Sequence, residues 1–154
     1  MQLKITAPDK TIFEWEVVKV NMPTDNGEIW VLPGHIPLSS VVKPWIVKIT
    51  LHSTEKEKML KSTQFLFDDN QDIVLSVGRW LLFVDGETIL VVTSAATTSP
   101  QQSEELLIKN KENLEKEIAD LKARGSIEDM EKALLDLQKI HADLKLYQMK
   151  WIVK

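Results

Sequence analysis

The chain has 154 residues, a formal charge of −4, 44% apolar and 27% charged residues, and no cysteine. This is long enough for one domain with a real core plus an appendage. It gives no electrostatic case for a nucleic-acid partner, and it excludes disulfide and thiolate chemistry. No stretch approaches the ~18–20 uninterrupted apolar residues of a membrane span, and the N-terminus opens in strand-like alternation without the apolar run of a signal peptide.

Residues 2–7 alternate Leu3, Ile5, Ala7 against Gln2, Lys4, Thr6, the pattern of a half-buried strand. After a turn at Pro8-Asp9-Lys10, residues 11–22 keep period two, but the apolar parity changes from odd to even at Val17-Val18. That change predicts a bulge or a crossing between sheets. Pro23-Thr24-Asp25-Asn26-Gly27 is a turn cluster. Residues 27–38 then read as a strand, a tight corner at Pro33-Gly34-His35 and a return, because proline presets φ and glycine accepts φ > 0. Further strands are expected around Val47-Ile49-Leu51, over 58–67 after a polar turn at 53–56, and at 73–77, 81–84 and 87–93. Asp85-Gly86 supplies a hairpin turn. Ile89 to Val92 is apolar at both parities and reads as a central strand. Eight to ten short strands with regular turns indicate a β-sandwich or barrel.

Composition changes after Ala95. Residues 96–102 form a small polar linker, with Ser99-Pro100 as the expected cap and first helical residue. From Ser103 on, Glu, Lys and Leu dominate, and Leu107, Leu114, Ile118 and Leu121 share a helical face. Gly125 suits the left-handed position that ends a helix, and Ser126 with Asp129 is a variant capping box for a second one. Met130, Leu134, Leu137, His141, Leu144 and Gln148 form its stripe, overlapped by a second through Ile140, Tyr147 and Trp151. Two helices of ~20–25 residues joined by so short a turn run antiparallel. Residues 132–154 carry five lysines against two aspartates, so the second helix is basic. A solvated face explains such a surface, and an acidic protein groove would also suit it.

The sequence offers little chemistry. It has no Gly-x-x-x-x-Gly-Lys phosphate loop. Ser53-Thr54-Glu55-Lys56 matches Ser-x-x-Lys only in a polar turn, and His35, His52 and His141 lack metal-ligand spacing. Glu14 and Glu16 share a strand face without a partner acid or base. No catalytic residue, cofactor or metal is expected, and the chain reads as a binding or coupling protein.

Gly27-Glu28-Ile29-x-Val31-Leu32-Pro33-Gly34-His35-x-Pro37-Leu38 resembles the signature of the F-type ATP synthase epsilon subunit family, called delta in mitochondria. The likeness extends to Ala7-Pro8, Phe13-Glu14-x-Glu16-Val17, Lys43-Pro44, Val84-Asp85-Gly86 and Val91-Val92-Thr93-Ser94-Ala95. It implies an α+β chain: a ten-stranded β-sandwich domain over 1–96, followed by an antiparallel helical hairpin over 100–154. It implies a noncatalytic rotor subunit of the central stalk, on the cytoplasmic side of the membrane, which it reaches only through the Fo sector. The sandwich would meet the gamma subunit and the c-ring, with the Glu28 loop near the ring's polar loops and His35 near gamma, and Pro33 and Gly34 among the partner-binding residues. The hairpin would reach the α/β hexamer and restrain ATP hydrolysis, with Lys132, Lys139 and Lys145 facing acidic segments there. Some members bind ATP through Leu/Ile-Asp-x-x-Arg-Ala at the first helix; residues 101–108 hold no arginine, so no tight ATP site is expected.

Glycine is scarce here, with five residues, and tryptophan equally numerous. Trp15, Trp30, Trp45 and Trp80 stand where the resemblance places glycines. This pattern predicts a gene from a lineage that reads UGA as glycine, and strain or exposed aromatic surface where the indoles are housed. The competing reading is a free-standing ligand-binding sandwich with a helical regulatory arm. A well-formed apolar pocket would favour that reading, and a broad exposed patch around residues 29–38 the stalk subunit.

Overall fold

In the computed structural model, residues 1–61, 64–99 and 102–152 are described. Strands β1 (Gln2–Ala7), β2 (Lys10–Glu16), β3 (Lys19–Thr24), β4 (Gly27–Val31), β5 (Leu38–Val42) and β6 (Trp45–Thr50) come first. Helix α1 (Ser53–Leu60) interrupts the strand series. Strands β7 (Leu66–Phe67), β8 (Ile73–Val77), β9 (Trp80–Val84), β10 (Thr88–Thr93) and β11 (Ala96–Thr97) follow, then helices α2 (Glu104–Arg124) and α3 (Ile127–Ile152). The hydrogen-bonded order is β11-β8-β6-β3-β5-β9-β10-β1-β2, with β4 on β3 and β7 on β8.

This path folds over itself into the expected sandwich. The turning point is β3, whose first half pairs with β6 and whose last residue, Thr24, pairs with Val42 of β5. The parity change at Val17-Val18 is the crossing between sheets: β2 pairs with β1, whereas β3 pairs with β4 and β6. Leu3, Ile5, Leu82, Val84, Ile89 and Val91 from one layer meet Val20, Met22, Val31, Val47, Ile49, Ile73 and Leu75 from the other. Nearly all are fully buried, and each such side chain contributes roughly 1.5–3 kcal/mol relative to exposure.

The strand expected over 58–67 is largely absent. Residues 53–60 are helix α1, and only Leu66–Phe67 is strand; residues 62 and 63 lie outside the described residues. The segment Ser-Thr-Glu-Lys-Glu-Lys-Met-Leu is rich in strong helix formers and poor in β-branched residues, so local propensity prevails over an apparent alternation. Met59, Phe65 and Phe67 still enter the core.

Helix α2 begins at Glu104 with Ser103 as its cap, the Leu106 amide donating to Ser103 Oγ at 3.2 Å. The cap expected at Ser99 is therefore misplaced by four residues, and Pro100 lies outside the described residues. A hydroxyl followed by Glu104 and Glu105 suits the helix dipole better than one followed by a proline and two uncharged glutamines. Gly125 ends the helix at φ 72° as expected, its amide bonding the Leu121 and Lys122 carbonyls. Ser126 Oγ bonds Asp129 Oδ2 at 2.9 Å at the start of α3.

The 26-residue α3 packs on the outer face of β6 and β8. Ala142 and Leu146 are buried there, with Ile46, Val74, Leu66 and Met149 around them. This corrects the stripe expected for α3: Leu134, His141 and Gln148 are exposed, and the sheet-facing line runs through Lys139, Ala142, Asp143 and Leu146.

Candidate docking surfaces

The motif turn is built around two backbone bonds. The His35 amide donates to the Leu32 carbonyl at 3.0 Å, and the Gly34 amide, at φ 81°, donates to the Gly86 carbonyl, also at 3.0 Å. His35 Nδ1 lies 2.8 Å from the Ile36 carbonyl. Pro33, Gly34 and His35 therefore sit beside the β9–β10 turn. Glu28 lies at the opposite end of β4, in the turn where Thr24 Oγ1 donates to the Gly27 carbonyl at 2.6 Å. Five residues of strand hold these groups ~17 Å apart. A motif continuous in sequence thus supplies two separate surfaces.

Beside the Pro33–His35 turn lies the outer face of the β5-β9-β10-β1 layer. Cross-strand register aligns Val41 with Leu81, Leu81 with Val92, and Phe83 with Leu90, so these five side chains share one face. Leu81, Phe83 and Leu90 are 38%, 41% and 36% exposed, and Val41 and Val92 are half-buried. Leu32 and Ile36 add exposed apolar surface at the end of the layer. Lys4, paired with Leu90, and Ser39, paired with Phe83, border the face with polar groups. The turn at its edge is held by Asp85, whose Oδ1 accepts from the amides of Thr88 at 2.8 Å and Glu87 at 3.0 Å. Hydrogen bonding from Thr88, then Glu87, holds the Asp85 carboxyl below its ordinary value of 3.8.

Sequence reading pointed to residues 29–38 and missed Leu81, Phe83 and Leu90. The signal was present: 81–84 and 89–92 are apolar at both parities, as expected of strands covered on both faces. Among the described residues one of those faces is fully covered, and the other stays largely open, with Val41 and Leu81 at one corner sharing a groove with Lys132 and Leu135 of α3.

The opposite layer differs. Its outer face carries α3, and Glu28 lies in the seam, lining one groove with Gln138 and His141 and another, of about 440 Å³, with Trp30, Trp45 and Lys145. Lys132 is exposed at a further groove with Arg79 and Asp136. Lys139 is not on the surface with the other two. Its Nζ lies 2.6 Å from Asp143 Oδ1, 3.1 Å from Ser76 Oγ and 3.0 Å from Thr97 Oγ1. Of the candidate lysines, Lys132 and Lys145 face solvent and Lys139 faces the sheet.

Three of the four tryptophans at expected glycine positions are placed on the surface: Trp15 and Trp45 are 37% and Trp30 is 47% exposed. Trp15 stacks edge-on against Phe13 and Phe65, and Lys19 Nζ stands 4.8 Å from the Trp30 ring. Among described residues the non-glycine residue with positive φ is Gln71, so no backbone strain accompanies the indoles; the Trp80 side chain lies outside the described residues.

Among described residues no group of three or more His, Cys, Asp or Glu could hold a metal ion, and no helix is long and apolar enough to cross a membrane. The ATP synthase epsilon chain of Dichelobacter nodosus is 36% identical over 76 residues, 49% of this chain and 53% of the relative. That match therefore spans about half the relative's length. The epsilon chain of Neisseria meningitidis is 23% identical over 134 residues, 87% of this chain and 85% of that one. Among solved structures, a chain of the Euglena gracilis mitochondrial ATP synthase OSCP/F1/c-ring assembly superposes with TM-score 0.66 at 16% identity, over 91% of this chain and 76% of that one, a likeness of fold. A family model described as the ATP synthase delta/epsilon chain beta-sandwich domain matches residues 1–77, half of the 154. With a β-sandwich and a two-helix appendage behind it, the chain belongs to the ATP synthase delta/epsilon chain family.

Proposed function

We propose that the chain is the noncatalytic epsilon-type subunit of an ATP synthase central stalk, coupling ion flow through the c-ring to ATP synthesis. In this reading the sandwich docks on the gamma subunit through the face of Val41, Leu81, Phe83, Leu90 and Val92, with Pro33, Gly34 and His35 at its margin. The observation that carries the proposal is that this in-register apolar face is left open while the opposite layer is covered by the chain's own α3. A contiguous apolar patch with a polar border is the form of a protein interface. The surface around Glu28 faces the ring's polar loops once α3 moves aside. The hairpin, with Lys132 and Lys145 exposed and Lys139 freed on movement, engages acidic segments of the α/β hexamer and restrains ATP hydrolysis. The subunit acts on the cytoplasmic side of the membrane and reaches it through these partners. The division into a sandwich domain over 1–96 and a regulatory hairpin over 100–154 belongs to the same proposal.

The interior between the layers is filled by one continuous cluster of buried side chains, which speaks against a ligand-binding sandwich. The test is co-purification of the full chain with gamma and the c-ring from the same organism. Stable capture of gamma supports the assignment, and no binding to gamma in any state overturns it.

A further inference from the structure

We infer that α3 is held to the sandwich by a polar latch, Lys139–Asp143–Ser76–Thr97, that sets its register and keeps Lys139 hidden from partners until the helix leaves. The inference rests on the reading of the hairpin as a regulatory arm and assigns the residues that regulate it.

The latch is closed on itself. Lysine has three donor directions, and Lys139 uses them on Asp143, Ser76 and Thr97. The Ser76 hydroxyl donates to Asp143 in turn. Ser76 is fully buried near the end of β8, between Leu75 and Val77 on an otherwise apolar strand, where α3 lies over it. No buried side-chain nitrogen or oxygen among the described residues lacks a partner.

The chemistry of this contact favours release. Lys139 and Asp143 are an i,i+4 pair on one helix, so their ion pair travels with α3. Docking takes most of that pair's surface out of water, leaving 16% and 20% of the side chains exposed, and returns two hydroxyl hydrogen bonds from β8 and β11, an exchange close to balance. Undocking leaves Ser76 and Thr97 on the sheet, where water satisfies them. Among the described residues the apolar part of the seam consists of Ile46, Val74, Ala142 and Leu146, buried, with Leu66 and Met149 at its edge. A helix meant to stay would replace the charge pair by packed apolar side chains, which are often neutral or stabilising in such positions. The docked state therefore competes with any acidic partner for Lys139.

The chain has no cysteine, which permits a direct test on the full-length protein. Asp69 and Lys145 line the same groove when α3 is docked, so nitroxide labels on D69C/K145C report docking as a short electron–electron distance. The parent pair is expected to give one short-distance population. Lys139→Met leaves the Asp143 carboxylate, and Asp143→Asn the Lys139 ammonium, without its opposite charge at a site where the two side chains are only 20% and 16% exposed, and each is expected to shift the balance toward long distances at least tenfold. The triple change S76V/K139M/D143L removes the charge pair and the buried Ser76 hydroxyl, leaving the half-buried Thr97 to water, and is expected to restore the short distance. Unchanged distances in both single variants overturn the latch, as does a triple variant that is as undocked as the singles. Circular dichroism confirms that the sandwich stays folded in each. No partner protein enters this measurement, so its failure is distinct from a failure to bind gamma.

Discussion

Gly34 and Gly86, 52 positions apart, are joined by a 3.0 Å bond from the first residue's amide to the second's carbonyl, and both sit at positive φ, 81° and 102°. This bond ties the motif turn to the β9–β10 turn. A β-branched residue at either position takes on the cost of a conformation that L side chains avoid. Gly34→Val and Gly86→Val are each expected to lose about 1–3 kcal/mol of stability in urea denaturation. Gly86→Val is the costlier, because φ 102° lies further from the left-handed region open to L side chains than 81° does.

The open sheet face yields a prediction that separates binding from folding. Phe83→Lys and Leu81→Asp alter half-exposed side chains and should change stability by no more than about 1 kcal/mol. Each places a charge in the centre of the proposed gamma interface and should weaken gamma binding at least ~10-fold, measured by titration calorimetry. Glu57→Lys on α1, also exposed, should leave binding unchanged.

Asp85 makes the β9–β10 turn sensitive to acid. Thr88, followed by the Glu87 amide, depresses its folded-state pKa below 3.8. A depressed carboxylate contributes stability above its unfolded pKa and loses it as pH falls through the folded value. The Asp85 contribution is therefore intact at neutral pH and fades below pH 3.8. Carboxyl NMR should give an Asp85 midpoint under 3.8. Asp85→Asn should remove its share of the acid limb of the stability profile, and an Asp85 midpoint above 3.8 would contradict this account.

The tryptophans give a genetic prediction. If UGA is read as glycine in the source lineage, the gene carries UGA at positions 15, 30, 45 and 80, and UGG at all four refutes the idea. The structure adds an expectation for the glycine form. No positive φ is required at these positions, so glycine there relieves no strain. Trp15→Gly removes edge contacts with Phe13 at 4.9 Å and Phe65 at 6.2 Å and should cost about 1–3 kcal/mol. Trp30→Gly, at a more exposed site, should cost less.

Strand alternation, the turn residues, the parity change at Val17-Val18 and the glycine stop at Gly125 were legible from sequence because each is a local constraint on φ, ψ or face. Helix α1 was not: Met59, Phe65 and Phe67 all fall on odd positions, an even spacing that imitates a strand, and only the Glu-Lys content betrays a helix. The start of α2 was misread for a related reason, since Ser99 and Ser103 are both plausible caps and the acids after Ser103 decide between them.

Period, turn chemistry and composition act over a few residues, so the sandwich, the hairpin and the motif on residues 27–38 could be read along the chain. Tertiary structure alone decided which faces are open. It parted Glu28 from Pro33–His35 along a single strand and turned Leu81, Phe83 and Leu90 outward on an uncovered layer. It also brought Lys139 to Ser76 and Thr97, 63 and 42 positions away. Nothing in a run of residues records which sheet a helix will cover; that depends on how the chain folds back over β3, and the latch forms only after it has done so.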